Sequence, residues 1–277
     1  MIESTYDISG AIVFWSLQPT PYQAVKEVFD RLGYAGCMPN VRTDQSALEN
    51  SIKVVYDTKN RAVVSRKEPR TNGVELVEIE RDTDRNHYTT SFGAKVVEGR
   101  VKADYGYADE YKLTNEFLKC KAVLTSTAVG MALAAIVAKM DGMKGFNKAG
   151  VYYVPEHWLR EWRVLAEAVE GCREGNKITA IRTAMDAGTA RAIRDVLTEE
   201  VQEQTAQLLD DVSKGTLNDG QLHVRAERAQ ALVDRIGLYS SILNDGLEGL
   251  KNVAALAQGA AAAAVMQDFS AGVAVCV

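Results

Sequence analysis

Apolar positions in the last third of this chain recur in alternating steps of three and four. Ala226, Ala229, Val233, Ile236, Ser240, Leu243, Leu247, Leu250 and Ala254 trace the a/d seam of a coiled coil, apolar except at Ser240. Upstream, Ile193, Leu197, Val201, Thr205, Leu208 and Val212 stack along one helical face. Between the two runs lies Lys214-Gly215-Thr216-Leu217-Asn218-Asp219-Gly220, whose glycines and Asn-Asp are helix-stop and turn chemistry. The pattern predicts a long antiparallel helical hairpin over 187–264, followed by an apolar tail over 265–277. At about 1.5 Å per residue the first helix spans roughly 40 Å and the second more than roughly 60 Å. The second therefore carries more apolar stripe than the first can cover. The cover comes either from the N-terminal part of the same chain or from a second copy, with Val233, Ile236, Leu243, Leu247 and Leu250 as the candidate oligomer interface.

The N-terminal part reads as α+β. A strand over 8–17 precedes a helix opened by Thr20-Pro21 and closed at Gly33, and a second helix starts near Thr43 or Asp44. Four strand-like runs follow, Arg61–Arg66, Val74–Glu80, His87–Val97 and Arg100–Tyr105, with turn signals between them, which predicts an antiparallel β-meander with packed helices. One long helix is expected from about Tyr111 to Met140, across one face of the meander. A strand at Val151–Val154, an amphipathic helix bearing Trp158 and Trp162, and a strand near Ile178–Met185 complete the expectation. The domain reading is 1–154 as an α+β domain, 155–186 as a connecting helix and strand, 187–264 as the coiled-coil-like hairpin, and 265–277 as the tail.

Composition adds limits. The 277 residues are 47% hydrophobic and 25% charged, ordinary for a globular protein. Residues 1–154 carry 20 Lys/Arg against 19 Asp/Glu, and 155–277 carry 12 against 18, so neither half is basic in bulk. Cys37, Cys120, Cys172 and Cys276 lie far apart, which suits a reducing cytoplasm. The first residues lack the charged and apolar regions of a signal peptide. Residues 122–138 are uncharged but rich in Ala, Ser, Thr and Gly, which reads as a buried helix and predicts no membrane span.

Three stretches carry a resemblance: Ile-Ser-Gly-Ala-Ile-Val-Phe-Trp-Ser-Leu at 8–17, Ser-Ala-Leu-Glu-Asn-Ser-Ile at 46–52, and Lys-Ala-Gly-Val-Tyr-Tyr-Val-Pro at 148–155. Together they resemble a family of uncharacterised phage and mobile-element proteins. The resemblance implies a viral or prokaryotic origin, hence a host-cell cytoplasm or a virion, and it supplies no activity or site residues.

The chain offers little that is legible as chemistry. His87, His157 and His223 have no His or Cys at metal-ligand spacing, and each reads as a surface or capping histidine. Asp82-x-Asp84-x-Asn86 begins like a calcium loop but lacks its glycine and bidentate glutamate, so a polar turn explains it better. Gly142–Gly150 is glycine-rich and basic without the ending of a phosphate loop, and reads as a connector. No nucleophile with a positioned base is legible, so no catalytic residue, metal or cofactor is assigned and the reading leans away from an enzyme. The nucleic-acid candidates are Arg61, Arg66, Lys67, Arg100 and Lys102 on the meander, where alternation puts several on one open face; the acidic residues on the same strands oppose that reading. The expected function is a non-enzymatic, self-assembling structural or adaptor protein with itself as partner, oligomerising through the helical hairpin and the Ala-rich tail that begins at Gly259. The alternative is a nucleic-acid-associated accessory protein.

Overall fold

A computed structural model of the chain describes residues 8–56, 61–65, 73–81, 86–144, 150–214 and 217–274. In chain order the strands are β1 (Ile8–Ser16), β2 (Thr20–Pro21), β3 (Arg61–Ser65), β4 (Gly73–Arg81), β5 (Asn86–Val97), β6 (Arg100–Gly106), β7 (Val123–Leu124), β8 (Met143–Lys144), β9 (Val151–Pro155) and β10 (Lys177–Ala184). The helices are α1 (Tyr22–Arg31), α2 (Asp44–Val55), α3 (Glu110–Ala122), α4 (Ser126–Lys139), α5 (Leu159–Gly171), α6 (Ala187–Ser213), α7 (Asp219–Leu243) and α8 (Glu248–Ala274). The fold is α+β with a C-terminal helical region. Two compact units interleave along the sequence: Met1–Phe14, Val137–Trp162 and Thr179–Val277 form the first, and Trp15–Ile136 and Arg163–Ile178 the second.

The second unit contains the meander, in the order β3-β4-β5-β6. Glu98 and Gly99 both hold positive φ in the two-residue turn that joins β5 to β6, the geometry that matches the twist of a hairpin. Val74, Leu76, Phe92, Ala94 and Val101 point to one face, where they pack on Ala47, Leu48 and Ile52 of α2 and Leu113 and Phe117 of α3. The stretch expected as one helix over 111–140 is two helices. Val123 and Leu124 leave the helix to pair with Thr20 and Pro21, and the Thr125 hydroxyl accepts the Ala128 N–H at 3.0 Å to restart it. In the meander's buried cluster α3 supplies the only residues from this stretch.

The first unit is built on a sheet in the order β10-β1-β9-β8. β1 and β9 run antiparallel, with Ile12 opposite Tyr153. A Cβ on Gly10 or Gly142 would meet the backbone of β9 at 2.3 Å and 2.6 Å, so both positions exclude larger residues. Three helices complete the unit, where two were expected. α6 and α7 run in opposed directions, tied by Arg225 to Asp211 at 2.7 Å and Arg235 to Glu200 at 2.7 Å. The expected second helix of the hairpin then breaks. Asn244 adopts the left-handed conformation as C-cap, the Ser240 hydroxyl donates to the Asp245 carbonyl at 2.6 Å, and Leu247 also holds positive φ. α8 returns along α7, with Gln258 of α8 bonded to Gln230 of α7.

The apolar seam runs straight across this break. Leu243, Leu247, Leu250 and Ala254 keep helical spacing through a turn that is not helical, and the turn uses Asn244, Asp245 and Gly246 as stop chemistry. We expect Asn244→Gly to leave the urea unfolding midpoint unchanged or higher. Asn244→Val should lower stability by about 1–2 kcal/mol, since a β-branched residue is strained in that conformation; equal midpoints would show that the break does not depend on this cap.

Candidate functional site

Three sets of side chains bear on function: the seam, the outward face of α8, and the basic residues of the meander. The seam residues lie in the chain's own core. Ile236 and Leu247 are buried and Val233, Leu243 and Leu250 are half-buried, in one cluster with Ile193, Leu197 and Val201 of α6, Ala254 of α8, and Met143 and Tyr153 of the β8–β9 hairpin. The cover that the sequence left open between the same chain and a second copy is thus supplied here by α6, α8 and that hairpin. Polar bonds fix the arrangement. The Tyr239 hydroxyl donates to the Asp141 carbonyl at 2.7 Å, and Arg235 donates to both the Gly142 carbonyl and Glu200. Burial pushes the Tyr239 phenol far above its ordinary value, so it stays a neutral donor.

α8 carries two stripes. Ala254, Ala257 and Ala261 are buried, the last two beside Leu208 and Ala229, and small side chains there let the helices approach closely. Asn252, Ala255, Leu256, Gly259, Ala262, Ala263 and Met266 are exposed, at the spacing of a second helical seam. Leu256 is 72% exposed and Met266 73%. No charged residue occurs from Asn252 through Gln267. Gly259 has nothing within 4 Å of the place a Cβ would occupy, so internal packing gives no reason for a glycine in mid-helix, where it costs about 1 kcal/mol relative to alanine.

The basic residues of the meander are not gathered on one face. β3 and β6 are the two outer strands of the sheet, roughly 14 Å apart at the usual strand spacing. Arg61 is two residues before Val63, which packs on the helix side, whereas Arg100 and Lys102 flank Val101, whose side chain faces the helices. Arg61 therefore sits on the helix side of one edge, and Arg100 and Lys102 on the opposite side of the other. The register shift at Gly93/Ala94 contributes to this parity. Carboxylates meet most of the positive charge: Arg61 pairs with Glu78 at 2.7 Å, Lys95 with Asp104 at 2.8 Å and Lys102 with Glu110 at 3.2 Å, while Arg100 is exposed. Arg66 and Lys67 lie outside the described residues, as do most of the glycine-rich connector and the acidic turn at 82–85.

Glu110 has a second task. Its Oε1 accepts the Ala103 N–H at 2.8 Å, and Thr114 Oγ1 accepts the Val101 N–H at 3.1 Å. Two donors on the outer edge of β6 are thereby closed to another strand. The Ala103 N–H and then the Lys102 ammonium hold the Glu110 carboxyl below its ordinary value.

Among the described residues no group of three or more His, Cys, Asp and Glu is placed to hold a metal. Burial raises the Cys120 and Cys172 thiols, which disfavours the nucleophilic thiolate. No helix among the described residues is long and apolar enough to cross a membrane. Trp162 is buried and Trp158 donates to Asp141 at 3.3 Å, so both belong to the framework of the first unit.

A family model described as a family of unknown function (DUF6744) matches residues 10–268. Neither the curated proteins nor the solved structures contain a match to the chain.

Because the Glu110 carboxyl is held low, its bond to β6 is fully present above the ordinary value of 4.5 and is lost as pH falls through the lowered one. We expect amide exchange at Ala103, corrected for its intrinsic pH dependence, to accelerate across that acid window, and Glu110→Gln to remove the dependence. A flat profile in the parent chain would show that the carboxylate does not guard this edge.

Proposed function

For a chain that belongs to the DUF6744 family of unknown function, we propose a non-enzymatic structural or adaptor role, in which copies associate through the outward face of α8. One observation carries the reading: a full helical stripe from Asn252 to Met266 is exposed, uncharged and centred on Leu256, with a glycine that the chain's own packing does not require. Exposed contiguous apolar surface of this kind marks interaction sites. A stripe flanked by small residues suits a second helix, because backbones approach closely where side chains are short. The seam on α7 is already occupied within the chain, so α8 replaces the seam residues as the contact in this proposal.

The phage or mobile-element origin is part of the same proposal, supported by the resemblance in residues 8–17, 46–52 and 148–155, and with it a location in a prokaryotic host cell or a virion. Nucleic-acid association through the meander ranks behind self-assembly. Of the five residues assigned to it, Arg61 and Lys102 are ion-paired and on different edges. Phosphate binding depends on concentrated positive potential.

The test is absolute mass by light scattering across a concentration series. Leu256→Asp should shift the chain to a smaller species without lowering its melting temperature, since the residue is exposed. Gly259→Ala should stabilise the isolated chain by up to about 1 kcal/mol, whereas Gly259→Trp should block association. A mass unaffected by both Leu256→Asp and Gly259→Trp would remove α8 as the contact.

A further inference from the structure

The two sheets treat their edges differently. On β6 the outward N–H groups of Val101 and Ala103 are taken by Thr114 and Glu110. β10 is the outer strand of the other sheet, and five of its eight residues are exposed. Its hydrogen-bonding phase follows from two contacts. The Thr183 carbonyl faces β1, where it accepts the Ser9 hydroxyl at 3.2 Å. The Ile178 N–H turns to a side chain instead, donating to Glu170 Oε1 at 2.6 Å. Because direction alternates along a strand, Ile178, Ala180, Arg182 and Ala184 present their backbone groups away from β1. Of these four, Ile178 has its N–H on Glu170 and Ala184 has its carbonyl on the Asp186 N–H at 3.0 Å, so Ala180 and Arg182 form the open centre of the edge. Exposed strand edges of this length template the addition of another strand.

We infer that a second copy of this chain adds to β10 through its own β10, in antiparallel register about a two-fold axis between the two Ile181 residues. Self-complementarity selects this occupant and this register. With outward-facing residues paired to one another, the axis at Ile181 sets Ala180 opposite the partner copy's Arg182 on both sides of the axis, and these two central pairs carry the ladder; Ile178 stands opposite Ala184, but the Ile178 N–H is held by Glu170 and the Ala184 carbonyl by the Asp186 N–H. On the other parity Thr179 meets Thr183, and Ile181, which is 54% exposed, stacks on its equivalent. The β-branched Ile181 pair on the axis is favourable, the Thr183 hydroxyl being already bonded to β1, and no like charges stand opposite one another. An axis at Arg182 would instead oppose two guanidinium groups. An axis at Ala180 would set Ile178 against Arg182. The strand Lys-Ile-Thr-Ala-Ile-Arg-Thr-Ala thus specifies its own pairing. The joined sheet runs unbroken through both copies, and the interface is isologous. It is independent of the contact proposed for α8.

The experiment uses the full chain carrying Leu256→Asp, so that α8 association is absent and mass reports on β10 alone. A dimer in equilibrium with monomer is expected. Adding Ala180→Pro removes an outward N–H at a position where an edge strand tolerates proline, and should give monomer with the melting temperature retained. Should that variant fail to fold, Ile181→Lys keeps the test open, since it places two ammonium groups on the axis at an exposed site; it should raise the dissociation constant at least about tenfold. Ile181→Cys should form an intermolecular disulfide on oxidation, mapped by peptide mass, because directly opposed residues in a non-hydrogen-bonded pair lie within disulfide reach. Lys177→Cys should not. A Leu256→Asp chain that is monomeric at every concentration, a dimer indifferent to Ile181→Lys, or cross-linking at 177 equal to that at 181 would each overturn the inference. Loss of mass on Leu256→Asp alone bears only on α8, so the two contacts fail separately.

Discussion

The apolar seam of α7 has to be covered along its length, and most of the first unit is arranged around that requirement. A single antiparallel partner covers one flank of a helix. The chain covers the other with its own continuation, by breaking the helix at Asn244 and sending α8 back along α7. The same move sets the direction of α8 against α6. Arg194 bonds Asp245 at 2.5 Å near one end, while Leu208 clusters with Ala257 and Ala261 further on, so these two helices run the same way. Alanines at the buried positions make the approach close, and that leaves the larger Leu256 and Met266 with no inward place. The outward stripe is thus a by-product of how the inward one is satisfied.

A small polar group anchors this packing to the sheet. Arg235 reaches both Glu200 on α6 and the Gly142 carbonyl, and Tyr239 reaches the neighbouring Asp141 carbonyl. Asp141 holds positive φ and Gly142 lies against β9, so the turn after α4 has little freedom to move. Partly buried charge of this kind is tolerated because Glu200 supplies an opposite charge with a hydrogen bond and the Gly142 carbonyl a second acceptor, while Glu200 Oε2 and Arg235 Nε are left without a partner among the described residues. Direction comes from these bonds, and adhesion from the surrounding side chains.

The α+β class, the meander, α6 and the β10 region were legible because their signals are local: alternation, turn residues and caps. The Glu98-Gly99 turn needs no distant information. What escaped was of two kinds. At Asn244-Asp245-Gly246 two local signals disagree, since stop residues stand in a seam whose period continues past them. Tertiary packing favours the break, because the turn brings Leu247 and Leu250 back into the same cluster as Ile236. The other misses are long-range. The pairing of β1 with β9 and the interleaving of the two units leave no mark in any short window. The placement of Arg61 opposite in edge and face to Arg100 and Lys102 depends on strand order and on a β5–β6 register shift that composition does not announce. The outward stripe on α8 could be recognised only after Ala254, Ala257 and Ala261 were known to face inward.

The guard on β6 also has a temporal side. Its strand is made before its protection, because Val101 and Ala103 precede Thr114 and Glu110 in the chain. The gap is 7 residues for the Ala103 bond and 13 for the Val101 bond, so at ordinary rates of synthesis, on the order of 5–20 residues per second, it lasts from about a third of a second to about two and a half seconds. A meander that pairs within that interval presents a hairpin whose border has not yet met Thr114 and Glu110. Folding of α3 then closes that border and supplies Leu113 and Phe117 to the sheet's apolar face in the same step. Crowded translation of this message, with neighbouring chains at the same stage, is therefore the circumstance in which its safeguard arrives last.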